Sequence, residues 1–251
     1  MAVRRQTAAA LTTSATVGHF CVMKTTIMRL SALLGAAAFM ACGGDSTGSN
    51  PSFTISADTA APTTLGTEVA VHVLLTSTGG MTGPVTLAVA GLPASWGVTV
   101  PTGLTLAANG QIPTVVAIQI PSNGDAAASG QTVKIAATSG SINDTARTVV
   151  TVTDEFVVPI KIGANGAGGH WGALQNTTTH LRVGTMLSFR NDDTTSHIVH
   201  TNAHIPGILH GNIGLPQAPG TKFSQVVGGT GNDVVYCHAH TATDSLMFVV
   251  P

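Results

Sequence analysis

The sequence predicts an all-β protein that folds as two β-sandwich domains. Short runs rich in Val, Ile and Thr recur along the chain, and clusters of Gly, Pro, Asn and Ser separate them, which is typical of strands joined by turns. Only 8% of the 251 residues are charged, so the long Glu- and Lys-rich segments of amphipathic helices are missing. A chain of this length can bury two cores of ordinary size.

Residues 1–42 form the predicted signal region. Residues 1–22 show no pattern of a folded element, whereas Met23 begins a segment in which Lys24 and Arg29 precede an apolar run over residues 30–41. A positive stretch followed by a short apolar run is typical of a secretory signal, so we expect translation to start at Met23. The run is too short to span a bilayer as a mature helix.

The apolar run ends in the segment Phe39-Met40-Ala41-Cys42-Gly43. This segment resembles the lipobox of bacterial lipoproteins, although Phe39 stands where leucine is usual. The resemblance implies cleavage before Cys42 and lipidation of Cys42, which would anchor the protein to a membrane leaflet of the cell envelope. Plain secretion is the alternative. Residues 43–52 are rich in Gly, Ser, Asn and Asp, which predicts a flexible linker.

Residues 53–153 predict the first sandwich, because strand-like runs alternate there with turn clusters. These runs cover residues 69–75, 85–89, 115–120, 133–135 and 149–152. Their order, together with the Gly-Pro-Val-Thr-Leu and Gly-Leu-Pro-Ala segments, resembles bacterial immunoglobulin-like domains of surface and secreted proteins. Neither His72 nor Trp96 stands in a pattern typical of a catalytic site, so we expect this domain to be a spacer or docking module.

Asp154 and Glu155 mark the predicted boundary of the second sandwich, residues 154–251. Its strand-like runs cover residues 156–162, 181–190, 223–227, 233–236 and 246–250. Cys237 lies three residues before His240, and His197 lies forty residues upstream. Cys21 and Cys42 lie in the predicted signal region, so Cys237 is the only downstream thiol and calls for an explanation. One thiolate with two imidazoles is the donor set of a blue-copper site. Neighbouring side chains of a strand alternate between faces, so His197 and His200 are not expected to reach one metal together.

Three segments around these residues resemble the cupredoxin family. Asn191-Asp192-Asp193 before His197 resembles the segment that supplies the first histidine, and Pro219-Gly220-Thr221 followed by Val234-Val235-Tyr236-Cys237 and His240 resembles the last hairpin. The resemblance implies a Greek-key sandwich with one type 1 copper held by His197, Cys237 and His240. Met247 is the candidate axial ligand. Because it follows His240 by seven residues and lies in the last strand run, a backbone carbonyl, another polar side chain or a three-coordinate site stays open.

These features predict a carrier of single electrons between redox partners outside the cytoplasmic membrane, rather than an enzyme. Copper sequestration or delivery is the first alternative, a copper oxidoreductase domain with His238 beside Cys237 is the second, and a surface protein that has lost its metal is the third. Further histidines are expected at the surface or next to the copper ligands, namely His170, His180, His200, His204, His210 and His238. Whether His200, His204, His210 or His238 bind a second ion is left open by the sequence. The net charge of -1 and the lack of a basic run downstream of the amino terminus do not support nucleic-acid binding.

Overall fold

A computed structural model describes residues 50–161, 171–201, 216–237 and 245–251. Over these ranges the regular secondary structure is almost entirely β-strand, and the only helical element is a single short 3₁₀ turn, Gly172–Leu174, which confirms the predicted all-β class. Within the same ranges the chain forms no helix with the length and apolarity needed to cross a membrane. The predicted signal region and the lipidation site at Cys42 lie outside the described residues.

The described strands are numbered in chain order. They are β1 Ser52–Ala57, β2 Thr63–Leu65, β3 Glu68–Thr78, β4 Gly83–Ala90, β5 Gly97–Thr99, β6 Leu104–Leu106, β7 Gln111–Gln119, β8 Ala127–Ser139, β9 Ile142–Ile160, β10 Thr178–His180, β11 Met186–Asn191, β12 Val199–Thr201, β13 Lys222–Val226, β14 Gly231–Cys237 and β15 Ser245–Val250. Two four-stranded sheets have the orders β1-β3-β7-β5 and β10-β15-β14-β12. A seven-stranded sheet has the order β13-β11-β9-β8-β4-β6, with β2 also paired to β9.

The first sandwich buries alternate residues of its long strands, as a sheet with one face on a core requires. In β3 the residues Val69, Val71, Val73 and Leu75 are buried while their neighbours are more exposed. Strands β7, β8 and β9 follow the same alternation. Trp96 is part of this core, and its indole donates a hydrogen bond to the carbonyl oxygen of Asp125 at 2.9 Å. These apolar faces account for the first core.

The second sandwich is built around a chain of aromatic contacts. Phe189 of β11 packs edge-to-face against Trp171 and against Phe248 of β15, with ring centroids 6.0 and 6.3 Å apart. Phe248 makes a further edge-to-face contact, at 6.4 Å, with Phe156 of β9. Because Phe156 and Phe189 belong to the seven-stranded sheet and Phe248 to a four-stranded sheet, these rings hold the two layers of the second sandwich together.

Strand β9 passes through the predicted domain boundary without a break. Two strands separated by Asp154-Glu155 were expected, whereas the structure has one strand of 19 residues. Up to Val152 this strand pairs with β8, and from Glu155 onward it pairs with β11. The two carboxylates fit inside the strand because each has a cationic partner: Arg182 lies 2.8 Å from Asp154, and Lys222 lies 2.7 Å from Glu155. The division into residues 53–153 and 154–251 stays a prediction.

Polar contacts beside the shared strand also tie the two halves together. The Arg182 guanidinium donates to the carbonyl oxygen of Gly124 at 3.2 Å as well as to Asp154, so it links a loop of the first half to the second half. The Ser122 hydroxyl donates to the carbonyl oxygen of His180 at 2.5 Å. These contacts, added to the continuous strand, oppose bending at the junction.

Gly66 provides a test of the packing beside this junction. It has a positive φ of 74°, and a Cβ added there would lie 2.4 Å from Cε2 of Phe156. Gly103 has a similar φ of 71° but open space around it. We expect Gly66→Ala to lower the free energy of unfolding by about 1–3 kcal/mol more than Gly103→Ala, because only the former overpacks the core. Chemical denaturation measures the free energy of unfolding of both variants. Equal losses of stability would contradict the close packing of Phe156 against Gly66.

Candidate metal centre

Asn191 organises the loop that precedes His197. It is fully buried at the end of β11, and its side-chain amide donates to the carbonyl oxygens of Thr195 and Gln217 at 2.8 and 2.7 Å. Its side-chain oxygen accepts a hydrogen bond from the Asp193 amide at 3.0 Å, as asparagine commonly does in turns. One buried side chain therefore fixes both the loop over residues 191–197 and the segment around Gln217.

His197 is completely buried, and both of its ring nitrogens face polar groups. Its Nε2 lies 2.8 Å from Oδ2 of Asp193 and 3.4 Å from the hydroxyl of Thr195. On the main chain, His197 and Gln217 exchange both backbone hydrogen bonds, at 3.1 and 2.7 Å, which makes an isolated antiparallel bridge. The imidazole is thus held both by its own backbone and by a carboxylate.

Asp193 determines which nitrogen of His197 carries the hydrogen. The hydrogen bond with His197 lowers the pKa of Asp193 to about 2, and the amide of Thr194 adds to the effect. An ionised carboxylate only accepts hydrogen bonds, so Nε2 is the donor and, in the neutral ring, Nδ1 keeps its lone pair. A carboxylate that fixes the tautomer in this way is typical of histidines that bind metal ions.

Cys237 is the group that faces this lone pair. It ends β14 at 1% exposure, and its Sγ lies 3.6 Å from Nδ1 of His197. The two residues meet because Val199, two positions after His197, pairs with Cys237 in the sheet. At this distance the thiol is able to donate a weak hydrogen bond to Nδ1, so the pair is also satisfied without a metal.

The separation of the two atoms also fits a shared metal ion. Two donors bound to one ion at about 2.0–2.1 Å for nitrogen and about 2.3 Å for sulfur lie roughly 3.5–3.8 Å apart at a tetrahedral to trigonal angle. The observed 3.6 Å falls in this range. Thiolate and imidazole are donors that copper accepts readily. The residues present therefore fit the metal that the sequence predicts.

Of the other histidines of the predicted second sandwich, the structure describes only His180 and His200. His240 lies outside the described residues, as do His170, His204, His210 and His238. His200 lies on the other face of β12 from Val199, and its ring centroid is 5.1 Å from that of Tyr236. His180 is exposed in β10, near Ser122 of the first half. Among the residues the structure describes, no group of three or more His, Cys, Asp or Glu side chains is arranged to hold a metal.

The structure does not bring Met247 to the His197–Cys237 pair. In β14 the residues Asp233, Val235 and Cys237 are buried, so they share the inner face of the sheet. Met247 pairs with Val234 and is 37% exposed, which places it on the outer face. It also lies three residues, or roughly 10 Å, along the strand from Cys237. The β15 register therefore directs this thioether away from the His197–Cys237 pair, and axial ligation by Met247, one of the alternatives left open by the sequence, stays a prediction.

Sequence analysis did not assign a role to Asn191, Asp193 or Gln217. Asn191 and Asp193 belong to the segment that carries the family resemblance, but nothing in their spacing indicates that one would hold the loop and the other the ring. Gln217 comes from a segment without strand character, twenty residues after His197. Only the backbone bridge between His197 and Gln217 makes the two residues neighbours.

No protein-family model and no curated protein sequence matches this chain. Among solved structures, the chain is similar to a purple cupredoxin from Nitrosopumilus maritimus, with 21% identity and a TM-score of 0.30 over 38% of this chain and 98% of that one. It is also similar to the I-band fragment I67–I69 of titin, with 8% identity and a TM-score of 0.27 over 80% of this chain and 64% of that one. At these TM-scores the likenesses do not indicate what the chain binds.

The hydrogen bond between Asp193 and His197 can be tested without a metal. We expect Asp193→Ala to remove the preference for hydrogen on Nε2, because the acceptor is lost, whereas Asp193→Asn keeps an amide oxygen and with it the tautomer. Long-range ¹⁵N–¹H NMR of the histidine rings in the metal-free protein reports the tautomer. Asp192→Asn is the matched control, since Asp192 contacts Arg190 at 2.6 Å instead. An unchanged tautomer in Asp193→Ala would show that the carboxylate does not set it.

Proposed function

We propose that this protein binds one copper ion through His197 Nδ1, Cys237 Sγ and His240, and carries single electrons in the cell envelope. The observation that supports this best is the buried 3.6 Å separation between Nδ1 and Sγ, with Nε2 of the same ring already held by Asp193. His240 enters the proposal from the sequence resemblance. When bound, copper supplies one-electron exchange between its two common oxidation states.

The residues around the pair favour fast electron exchange because they hold the donors still. His197 lies just before β12 and Cys237 ends β14, and their relative position is fixed by the pairing of Val199 with Cys237 and by the bridge of His197 to Gln217. Both side chains are at most 1% exposed, so water is kept away from them. Donors that are fixed in advance need little rearrangement when the charge of the bound ion changes, and this keeps the barrier to electron transfer low.

Contacts along β9 support a placement in which the start of the first sandwich and the candidate site lie near opposite ends of this strand. The Ile55 amide donates to Asp144 near the start of β9, at 2.9 Å, and Thr63 of β2 pairs with Val152 further along. At its other end β9 pairs Ile160 with Asn191, which organises the His197 loop. A strand of 19 residues is roughly 60 Å long when straight. A lipid on Cys42 would then leave the copper-binding end free for redox partners.

The first test is an absorption and EPR spectrum of residues 43–251 with one equivalent of Cu(II). We expect an intense thiolate-to-copper band and narrow hyperfine splitting, because a thiolate ligand delocalises the unpaired electron. Cys237→Ser should abolish the band while circular dichroism keeps the strand signal, since the two cores do not depend on an ion. Val235→Ala, on the same buried face, is the matched control and should keep the band.

A pale spectrum that is typical of nitrogen and oxygen ligands would contradict the electron-carrier proposal and favour copper sequestration. An intense band that bleaches irreversibly on one-electron reduction would contradict it as well, because a carrier must return to its oxidised form. Loss of the fold in Cys237→Ser would mean that this residue has a structural role.

The distance between the two ends tests the proposed placement. Spin labels at Asn50→Cys and Ala218→Cys, in a Cys237→Ser background, should give a narrow distance distribution centred at roughly 60 Å, the length of β9. The control pair Asn50→Cys and Ser141→Cys should give a much shorter distance, because both positions lie at the start of β9. Pulsed EPR measures both. A broad distribution for the long pair would contradict a rigid spacer.

A further inference from the structure

Gln217 carries a buried polar atom that has no hydrogen-bond partner among the residues the structure describes. Its side-chain oxygen, Oε1, is shielded from solvent and accepts no hydrogen bond within the described part of the chain. An amide oxygen that is buried without a donor lowers the stability of the folded state, because it has given up its hydrogen bonds to water. Buried groups of this kind in native proteins usually have a reason, and an ion is one of the groups that satisfies them.

The backbone bridge places this side chain next to His197. His197 and Gln217 stand directly opposite each other in an antiparallel pair, and each accepts the other's amide hydrogen. Residues directly opposite in such a pair project to the same face, with Cβ atoms about 4.5–5.5 Å apart. The Gln217 side chain therefore leaves the backbone on the side of the imidazole, and the imidazole turns its Nδ1 to Cys237.

Hydrogen bonds to its backbone hold Gln217 in place, as they do His197. Its carbonyl oxygen accepts hydrogen bonds from the His197 amide at 3.1 Å and from the buried Asn191 side chain at 2.7 Å. Asn191 thereby holds both the loop that carries His197 and the segment that carries Gln217. The segment that carries Gln217 would therefore already be fixed in position when an ion binds beside His197 and Cys237.

We propose that the Gln217 side-chain oxygen would serve as the fourth donor to the bound copper, a role for which Met247 is the alternative candidate from the sequence. This inference rests on the proposed function. Trigonal sites of two imidazoles and one thiolate take a weak axial ligand, and a glutamine oxygen serves as well as a thioether. Met247 lies on the outer face of β15, whereas Gln217 lies opposite His197 and has an oxygen without another partner.

The experiment compares two leucine variants of residues 43–251 loaded with Cu(II). We expect Gln217→Leu to raise the reduction potential and to change the EPR hyperfine splitting, because an oxygen donor favours Cu(II) over Cu(I). Met247→Leu, the matched control, should leave both unchanged. Gln217→Met, which restores a weak axial donor, should give a potential different from both wild type and Gln217→Leu. Cyclic voltammetry and EPR provide these readouts.

A second measurement reports the contact directly. In Co(II)-substituted protein the side-chain protons of a bound glutamine show large hyperfine shifts in the NMR spectrum, and selective labelling assigns them to Gln217. Shifts from Gln217 but not from Met247 would support the inference. Shifts from Met247, or a potential that changes in Met247→Leu and not in Gln217→Leu, would overturn it. A wild-type protein without a thiolate-to-copper band would instead overturn the proposed function, and this inference with it.

Discussion

The continuous pairing of β9 is the constraint on which the rest of the structure depends. The first half of this strand is held by β8 and the second half by β11, so one backbone belongs to both sandwiches. Phe156 follows directly after the change of partner and joins the aromatic contacts of the second core. The strand does not end at Asp154 and Glu155. The orientation of the candidate metal centre is therefore fixed relative to the first sandwich. A flexible linker at this point would have left the two independent.

Burial explains why the polar groups of the candidate centre are so thoroughly paired. His197, Cys237 and Asn191 are at most 1% exposed, and a polar group at that depth is costly unless it has a partner. Asn191 uses both ends of its amide, and His197 faces Asp193 on one side and Cys237 on the other. The side-chain oxygen of Gln217 differs from these atoms because it has no hydrogen-bond partner among the described residues. This difference is the reason for proposing that it binds an ion.

Much of this centre could be predicted from the sequence, because the relevant signals are local. The three-residue spacing of Cys237 and His240, and the alternation that separates His197 from His200, follow from residue types and from the two-residue period of a strand. The structure places His197 beside Cys237 and His200 beside Tyr236. A role for Met247 as a ligand could not be decided from the sequence, because its distance from His240 along the chain does not determine which face of β15 it occupies. That face depends on the register between β14 and β15.

Residue types along the chain were enough to predict the all-β class, most of the longer strands and the His197–Cys237 pair, since hydrophobic alternation and side-chain chemistry can be read locally. The run predicted over residues 181–190 is a strand only from Met186 onward. The tertiary structure alone decided the continuity of β9, the carboxylate on His197 and the position of Gln217. Two of these depend on partners that are far apart in sequence: Arg182 and Lys222 accommodate the charges within β9, and Asn191 holds Gln217 from 26 residues away. Asp193 is only four residues from His197, but it reaches the ring through a loop whose shape depends on the buried Asn191. Such contacts leave no local signal, because the residues next to a side chain in the sequence do not show what it will meet in the fold.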